Sequence, residues 1–146
     1  MPHQRLRKFH TKVWYRGAQN IDVDLSMAVV VGRQVFLRGQ TGHDFDGTFH
    51  GLGDPAAQAE QAMHNVKVLL AESGARLDDI CKITVYVTDR AYLEPVCNVI
   101  GRHLKGVYPA STELIVNGLA RSMLQMEVDV HAVVPEDAHG SAGSRG

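Results

Sequence analysis

The sequence predicts an α+β fold, in which one sheet carries two helices on one of its faces. Three observations predict it. Apolar residues recur at helical spacing between positions 54 and 74, where clear start and stop signals also lie. Apolar and polar residues alternate along 81–89 and again along 124–134. Since each of these strands has a single apolar face, helices are needed on that side of the sheet only.

Length and composition indicate one globular domain. The chain has 146 residues, of which 45% are hydrophobic, enough to bury a core. Its 15 Lys and Arg residues against 16 Asp and Glu residues give a formal net charge of -1, which disfavours nucleic acid and anionic membranes as partners. No apolar run has the length of a signal peptide or a membrane span, so we expect a cytoplasmic protein. Cys81 and Cys97 lack the spacing of a redox or zinc pair, and we expect two reduced thiols.

The first elements are an arm, a hairpin and a loop. The form of the N-terminal arm, residues 5–26, is left open by its weak alternation. From Met27 the runs MAVVV and QVFLRG flank Gly32-Arg33, a pattern that predicts a β-hairpin. The stretch QTGHDFDGTFHGLGD follows and is rich in Gly, Asp and His, so we expect a loop that is able to carry functional groups.

Two helices are predicted. Asp54 suits the N-cap of the first, Pro55 its first position and Gly74 its C-terminal stop. Its apolar face consists of Ala59, Ala62, Met63, Val66, Leu69 and Leu70. The apolar stripe of the second helix consists of Leu93, Val96, Cys97, Ile100 and Leu104.

The last predicted strand, residues 124–134, has one apolar and one polar face. Its polar side chains are those of Gln125, Glu127, Asp129 and His131. Because the helices can cover only the apolar face, a partner subunit is the simplest cover for the polar one, and we expect a homo-oligomer. The composition after this strand is typical of disorder. We therefore expect a single domain over residues 1–135 and a disordered tail over residues 136–146.

Two groups of residues have the chemistry of metal ligands. Glu127, Asp129 and His131 alternate along one strand, about 6 to 7 Å apart, which is too far for all three to bind one ion. We expect no metal there. His43, Asp44 and His50 lie in the glycine-rich loop, where a solvated loop is the favoured interpretation and an acid–base or ligand role the alternative.

Cys97 and Arg38 each have two interpretations. Cys97 lies on an apolar helical stripe, which favours a packed thiol over a nucleophile. Arg38 ends a strand of buried type, just before Gly39 and Gln40. It could form a salt bridge at the rim or bind a carboxylate through its guanidinium fork, and the sequence leaves both open.

Four segments resemble the Rid (YjgF-like) family of enamine and imine deaminases. They are VGRQVFLRGQTG, QAEQAMHNVKVLLAESGARLDDICKITVYVTD, YPAST and QMEVDVHAVV, and together they cover most of residues 27–134. The resemblance implies a chorismate-mutase-like α+β fold with a mixed sheet, and a homotrimer with clefts between its subunits. It also implies hydrolytic deamination of a small carboxylate-bearing enamine or imine, with no metal or other cofactor.

The chain departs from the family pattern at several pocket positions. Deaminating members carry a carboxylate-binding arginine directly after a Pro-Ala pair, where this chain has Ser111. The family's serine before Gly-Gln is Arg38 here, its pocket asparagine on the second helix is Cys97, and its pocket tyrosine falls near Leu25. Because one arginine is lost and another appears, we expect the anion site to have moved to Arg38.

The chemistry of this deamination suggests a role for each pocket residue. Gly39, Gln40 and Glu127 match the family. Arg38 would hold the substrate carboxylate, Gly39 with the region of Ser111 would polarise the substrate, and Glu127 would accept a proton from the attacking water. Gln40 and Cys97 would complete the substrate pocket.

Glu127 could instead pair with a basic group across an interface, and the trimer could be a ligand-sensing or protein-binding assembly without catalysis. Ribonuclease activity fits the charge balance poorly.

Overall fold

The computed structural model describes residues 2–16 and 19–136. In chain order the strands and α-helices are β1 (Gln4–Leu6), β2 (Phe9–His10), α1 (Thr11–Trp14), β3 (Asp24–Leu25), β4 (Ala28–Val31), β5 (Gln34–Leu37), α2 (Pro55–Glu72), β6 (Ile80–Val87), α3 (Leu93–His103), β7 (Ala110–Ile115) and β8 (Met126–Val133). Single 3₁₀ turns precede β6 and α3. Most of the predicted tail, residues 137–146, lies outside the described residues.

Six strands form one mixed sheet in the order β1-β4-β5-β8-β6-β7. All neighbours are antiparallel except β6 and β7, which α3 connects as a crossover. The helices α2 and α3 pack against each other and their apolar residues join the buried core of the sheet. This arrangement confirms the predicted α+β fold with two helices on one face.

The local signals for the hairpin and for α2 are confirmed. Strands β4 and β5 pair around the turn at Gly32, whose φ of +58° suits glycine. The Asp54 carboxylate accepts from the amide of Ala57 at 3.1 Å and caps α2. Gly74, at φ +80°, ends that helix.

Strand β8 has the two faces that its alternation predicts. Met126, Val128, Val130 and Ala132 are buried against the helices, whereas Glu127, Asp129 and His131 are half-buried on the opposite face. The strand begins at Met126 instead of the predicted Leu124. The reason is a turn, in which the Leu124 amide donates to the carbonyl of Arg121 at 3.1 Å.

The N-terminal arm has a structure that the sequence left open. Strand β1 extends the sheet beside β4, and β2 and β3 form a small second sheet. The buried Thr11 hydroxyl donates to the carbonyl of Ile21 and accepts from the amide of Val23, which closes the arm on itself. The short helix α1 thereby brings Trp14 and Tyr15 against the end of β5. Across the described residues, no helix has the length and hydropathy needed to cross a membrane.

Candidate active site

A cavity of about 120 Å³ lies where the N-terminal arm, the loop after β5 and the segment before β8 meet. It is small beside pockets for drug-sized ligands, which measure roughly 300–1,000 Å³. Its charged or titratable lining residues are Tyr15, Arg38, His43, Asp44, Arg121 and Glu127. The geometry therefore fits a small, charged molecule.

Four of the predicted site residues meet in this cavity. Arg38, Gly39 and Gln40 follow β5, and Glu127 projects from the neighbouring β8. The backbone of Gln40 exchanges two hydrogen bonds with Val128, at 2.9 and 3.0 Å, so the chain stays beside β8 after β5 has ended. The buried Gln40 side chain donates to the carbonyl of Arg38 at 2.9 Å. These bonds hold residues 38–40 opposite Glu127.

The Glu127 carboxylate lies directly against the backbone of Gly39. A Cβ at residue 39 would overlap Glu127 Oε2 and would lie 2.9 Å from Asp129 Oδ1. The Glu127 carboxylate can therefore occupy its position only because residue 39 has no side chain.

The environment raises the pKa of the Glu127 carboxyl. Burial is the largest cause, and the nearby Asp129 charge adds to it, while the positive charge of Arg38 partly opposes both. Asp129 is itself held by the Tyr86 hydroxyl, which donates to Oδ2 at 2.9 Å. A carboxyl whose pKa lies above its ordinary value can exchange a proton nearer to neutral pH, as acid–base catalysis requires.

Arg38 faces the cavity without a carboxylate partner. Its Nη2 donates to the Tyr15 hydroxyl at 2.9 Å, and its guanidinium lies 5.1 Å from the centre of the Phe9 ring. Within residues 2–16 and 19–136, no acidic oxygen lies within 4.0 Å of this guanidinium. The rim salt bridge is thus not found in the described chain, which leaves the charge of Arg38 available to a ligand.

Arg121 is a pocket residue that the sequence analysis missed. Its guanidinium lies 5.3 Å from the centre of the Tyr15 ring, and the residue lines the cavity. It belongs to an irregular segment between β7 and β8, so no periodicity or motif points to it. The one available signal was a basic residue close in sequence to a site strand.

The two histidines of the glycine-rich loop differ in their surroundings. His50 is exposed and pairs with Asp44 Oδ2 at 2.8 Å, which agrees with a solvated loop. His43 corrects that interpretation, because it is half-buried and lines the cavity. Burial lowers the pKa of His43, and the charges of Arg121 and Arg38 lower it further. The lowered pKa favours the neutral imidazole of His43, which can donate or accept a hydrogen bond.

Cys97 and Ser111 lie in a separate groove, between α3 and β7. The Ser111 hydroxyl donates to Glu113, and burial together with the Glu113 charge raises the pKa of the Cys97 thiol. A protonated, half-buried thiol agrees with the packed-thiol interpretation. Because β6 separates β7 from β8 in the sheet, one chain does not bring these two residues to Glu127. The described part of the chain contains no cluster of His, Cys, Asp and Glu suited to a metal ion.

This sheet, with its two helices on one face and a half-buried carboxylate in a pocket lined by two arginines, defines the class as a YjgF-like α+β protein. The family model described as Endoribonuclease L-PSP matches residues 19–134. The chain belongs to this family, the Rid (YjgF) family, as its resemblance implied.

Named relatives agree with this assignment. The chain is 34% identical to Protein DfrA of Myxococcus xanthus over 108 residues, 74% of this chain and 82% of the relative. It is 26% identical to the 2-iminobutanoate/2-iminopropanoate deaminase of Dermatophagoides farinae, over 75% of this chain and 83% of that one. The crystal structure of RidA from a Psychrobacter species superposes with a TM-score of 0.69 at 27% identity, over 80% of this chain and 90% of that one.

Proposed function

We propose that this pocket catalyses the hydrolytic deamination of a small enamine or imine acid, with water as the nucleophile. The observation that carries the proposal is Glu127, a half-buried carboxyl of raised pKa beside the charge of Arg38. The relatives named as iminobutanoate and iminopropanoate deaminases support the same reaction class.

The reaction needs an acid–base group and a water molecule. An enamine takes a proton on carbon and becomes an iminium ion, and water then adds to the C=N carbon while Glu127 accepts the proton of the water. Glu127 returns this proton to nitrogen, and ammonia leaves as the C–N bond breaks. The hydroxyl proton is then lost to solvent, which balances the proton taken up on carbon, and a ketone or aldehyde acid remains. The equation balances with water alone, so the chemistry calls for no redox or metal cofactor.

The other residues of the pocket would bind and orient the substrate. Arg38 donates one hydrogen bond to Tyr15, and its remaining N–H groups would bind the substrate carboxylate. Gly39 leaves room for the Glu127 carboxylate, and Gln40 fixes the backbone that carries both groups. His43, as a neutral imidazole, would hydrogen-bond the substrate or the attacking water.

We also propose that the chain works as a cytoplasmic homotrimer whose site is completed at a subunit boundary. Support comes from β7, an edge strand on which all six residues are exposed, Leu114 and Ile115 at 42% and 41%. Exposed apolar groups on an edge strand are costly unless a partner covers them. In such an assembly the groove that contains Cys97 and Ser111 would face the Glu127 pocket of a partner subunit.

A second candidate is a trimer that binds small acids without catalysis. The observation in its favour is Ser111, which occupies the position where deaminating relatives carry their carboxylate-binding arginine. Such a protein would retain the affinity of Arg38 for anions and lack turnover.

The two candidates are separated by an imine-trapping assay. An amino acid oxidase generates 2-imino acids in situ, and semicarbazide traps them unless the protein hydrolyses them first. We expect the protein to suppress semicarbazone formation and to accelerate ammonia release.

Arg38→Ala should raise KM roughly 10-fold to 100-fold, the usual effect of losing a charge-assisted hydrogen bond to a ligand. Arg90→Ala, at an exposed site outside the pocket, is the matched control. Binding of 2-oxo acids without any suppression would favour the second candidate.

A further inference from the structure

We infer that the pocket selects dicarboxylic substrates, with Arg38 and Arg121 each binding one carboxylate. The inference rests on the proposed function for the reaction and adds the substrate class. It also assigns Arg121 a role in specificity.

Both guanidiniums are positioned by one buried residue. Tyr15 is 8% exposed, and its hydroxyl accepts from Arg38 Nη2 at 2.9 Å. The face of the same ring lies 5.3 Å from Arg121 Cζ, within the range of a cation–π contact. Arg38 is held further by the Phe9 ring. The two positive charges are therefore ordered on the cavity wall before any ligand arrives, which lowers the entropy cost of binding an anion.

Neither guanidinium forms an ion pair with a described residue. Across the described residues, Arg7 pairs with Glu72 and Arg102 with Glu60, whereas Arg38 and Arg121 have no acidic oxygen within 4.0 Å. Asp44, the second carboxylate of the lining, is engaged by His50 and by the amides of residues 46 and 48. Two guanidiniums without an ion pair in one pocket favour a ligand that brings a carboxylate to each of them.

The remaining groups fit the same ligand. Burial, and after it the charges of Arg121 and Arg38, lower the pKa of His43, so this side chain is not suited to supply a further positive charge. Glu127 is the group suited to lie beside a protonated imine, so the two carboxylates of the substrate are left to the two arginines. A substrate with one carboxylate would satisfy only one of them. The cavity of about 120 Å³ limits the ligand to a short chain.

The first test compares substrates that share a five-carbon chain. Oxidases convert glutamate and norvaline into 2-iminoglutarate and 2-iminopentanoate, which differ in the second carboxylate. We expect wild-type kcat/KM to favour 2-iminoglutarate by roughly 10-fold to 100-fold, the range for one charge-assisted hydrogen-bonded pair. Arg121→Gln should bring this ratio close to 1 and change the value for 2-iminopentanoate less than about threefold. Arg121→Lys, which keeps the charge and loses the fork, should retain part of the preference, and Arg90→Gln all of it.

The second test needs no turnover. Calorimetry measures the binding of 2-oxoglutarate and of 2-oxopentanoate to wild type and to Arg121→Gln, with circular dichroism to verify that the variant is folded. We expect tighter binding of 2-oxoglutarate, lost in the variant. If this holds while no imine is hydrolysed, the proposed function is wrong and the dicarboxylate site stands. If both imines are hydrolysed at equal kcat/KM and Arg121→Gln changes neither the rates nor the affinities, the inference is overturned and the proposed function stands.

Discussion

The carboxylate of Glu127 occupies the space that a side chain at Gly39 would fill. The two residues belong to chain segments more than 80 positions apart, which pair beside each other through the backbone bonds of Gln40 and Val128. The position of the proposed catalytic carboxyl thus depends on the absence of a side chain on the neighbouring segment.

Gly39→Ala should remove activity and preserve the fold. The nearest atoms that the new Cβ meets are the carboxylate ends of Glu127 and Asp129 and no backbone atom, so these side chains can move away at small cost in stability. We expect kcat to fall by about 100-fold, as for loss of a general base, with thermal unfolding near wild type. Gly118→Ala, at an exposed site between β7 and β8, is the matched control, since its Cβ would meet nothing within 4 Å. Normal turnover in Gly39→Ala would show that the Glu127 position is irrelevant to the chemistry.

The acid limb of the pH–rate profile should respond to the two charges beside Glu127. The base works only when ionised, so kcat/KM should fall as pH drops through its raised pKa, at a higher pH than an ordinary glutamate would give. Arg38 lowers the pKa of Glu127 and Asp129 raises it. Arg38→Gln should therefore move the limb to higher pH, and Asp129→Asn to lower pH. Shifts in the reverse directions would contradict the assignment of this limb to Glu127.

Glu127→Gln should stabilise the protein at alkaline pH. Because the pKa of Glu127 is raised in the folded state, the fold favours its protonated form, and this contribution is lost as pH rises through the folded pKa. A neutral amide avoids that loss. Thermal unfolding should show a higher Tm for the variant than for wild type at pH 8, with the difference shrinking towards pH 4. A variant that is less stable at pH 8 would indicate that the carboxylate has a stabilising ion pair instead.

Substitutions at Tyr15 should separate its hydroxyl from its ring. Tyr15→Phe removes the acceptor for Arg38 and keeps the ring beneath Arg121, so KM should rise about fivefold for mono- and dicarboxylic imines alike, which corresponds to one hydrogen bond. Tyr15→Leu also removes the ring, and the preference for the dicarboxylic imine should fall. Steady-state kinetics on both substrates give the ratio of their kcat/KM values, which measures this preference. If the two variants have the same ratio as wild type, Tyr15 does not position Arg121.

The proposed trimer should depend on the exposed edge strand. Ile115→Lys places a charge on β7 and should yield monomers by light scattering at micromolar concentration, with circular dichroism unchanged. Leu52→Lys, at a site that is 79% exposed on a loop, should leave the assembly intact. A monodisperse wild-type monomer at the same concentration would remove the basis for the trimer and for any contribution from Cys97 and Ser111.

The elements that the sequence predicts well carry local signals. The cap, proline and glycine around α2 and the alternation of β8 each restrict a short segment, and the structure reproduces them. The N-terminal arm has strands of two or three residues, too short for any periodicity to register. Its form depends on bonds between distant residues, such as those of Thr11 with positions 21 and 23.

The same distinction holds for the candidate site. Arg38 was predicted because it ends a recognisable strand, and Glu127 because it lies on the polar face of another. Tyr15, His43 and Arg121 lie in irregular segments, and the tertiary fold alone brings them to one cavity. Nothing in the local sequence distinguishes Tyr15 and Arg121 from solvated side chains. His43 was a candidate through the composition of its loop, but a solvated loop was the favoured interpretation.

The most direct test of the account is the turnover of Glu127→Gln, measured as ammonia release per intact oligomer, with light scattering on the same preparation. Glutamine keeps the size of the side chain and removes the base. If Glu127 accepts the proton of the attacking water, kcat falls by about 100-fold or more, KM changes little and the assembly is unaffected. Unchanged turnover in a stable Glu127→Gln oligomer would contradict the account, and a weakened oligomer with normal turnover would make Glu127 an interface residue.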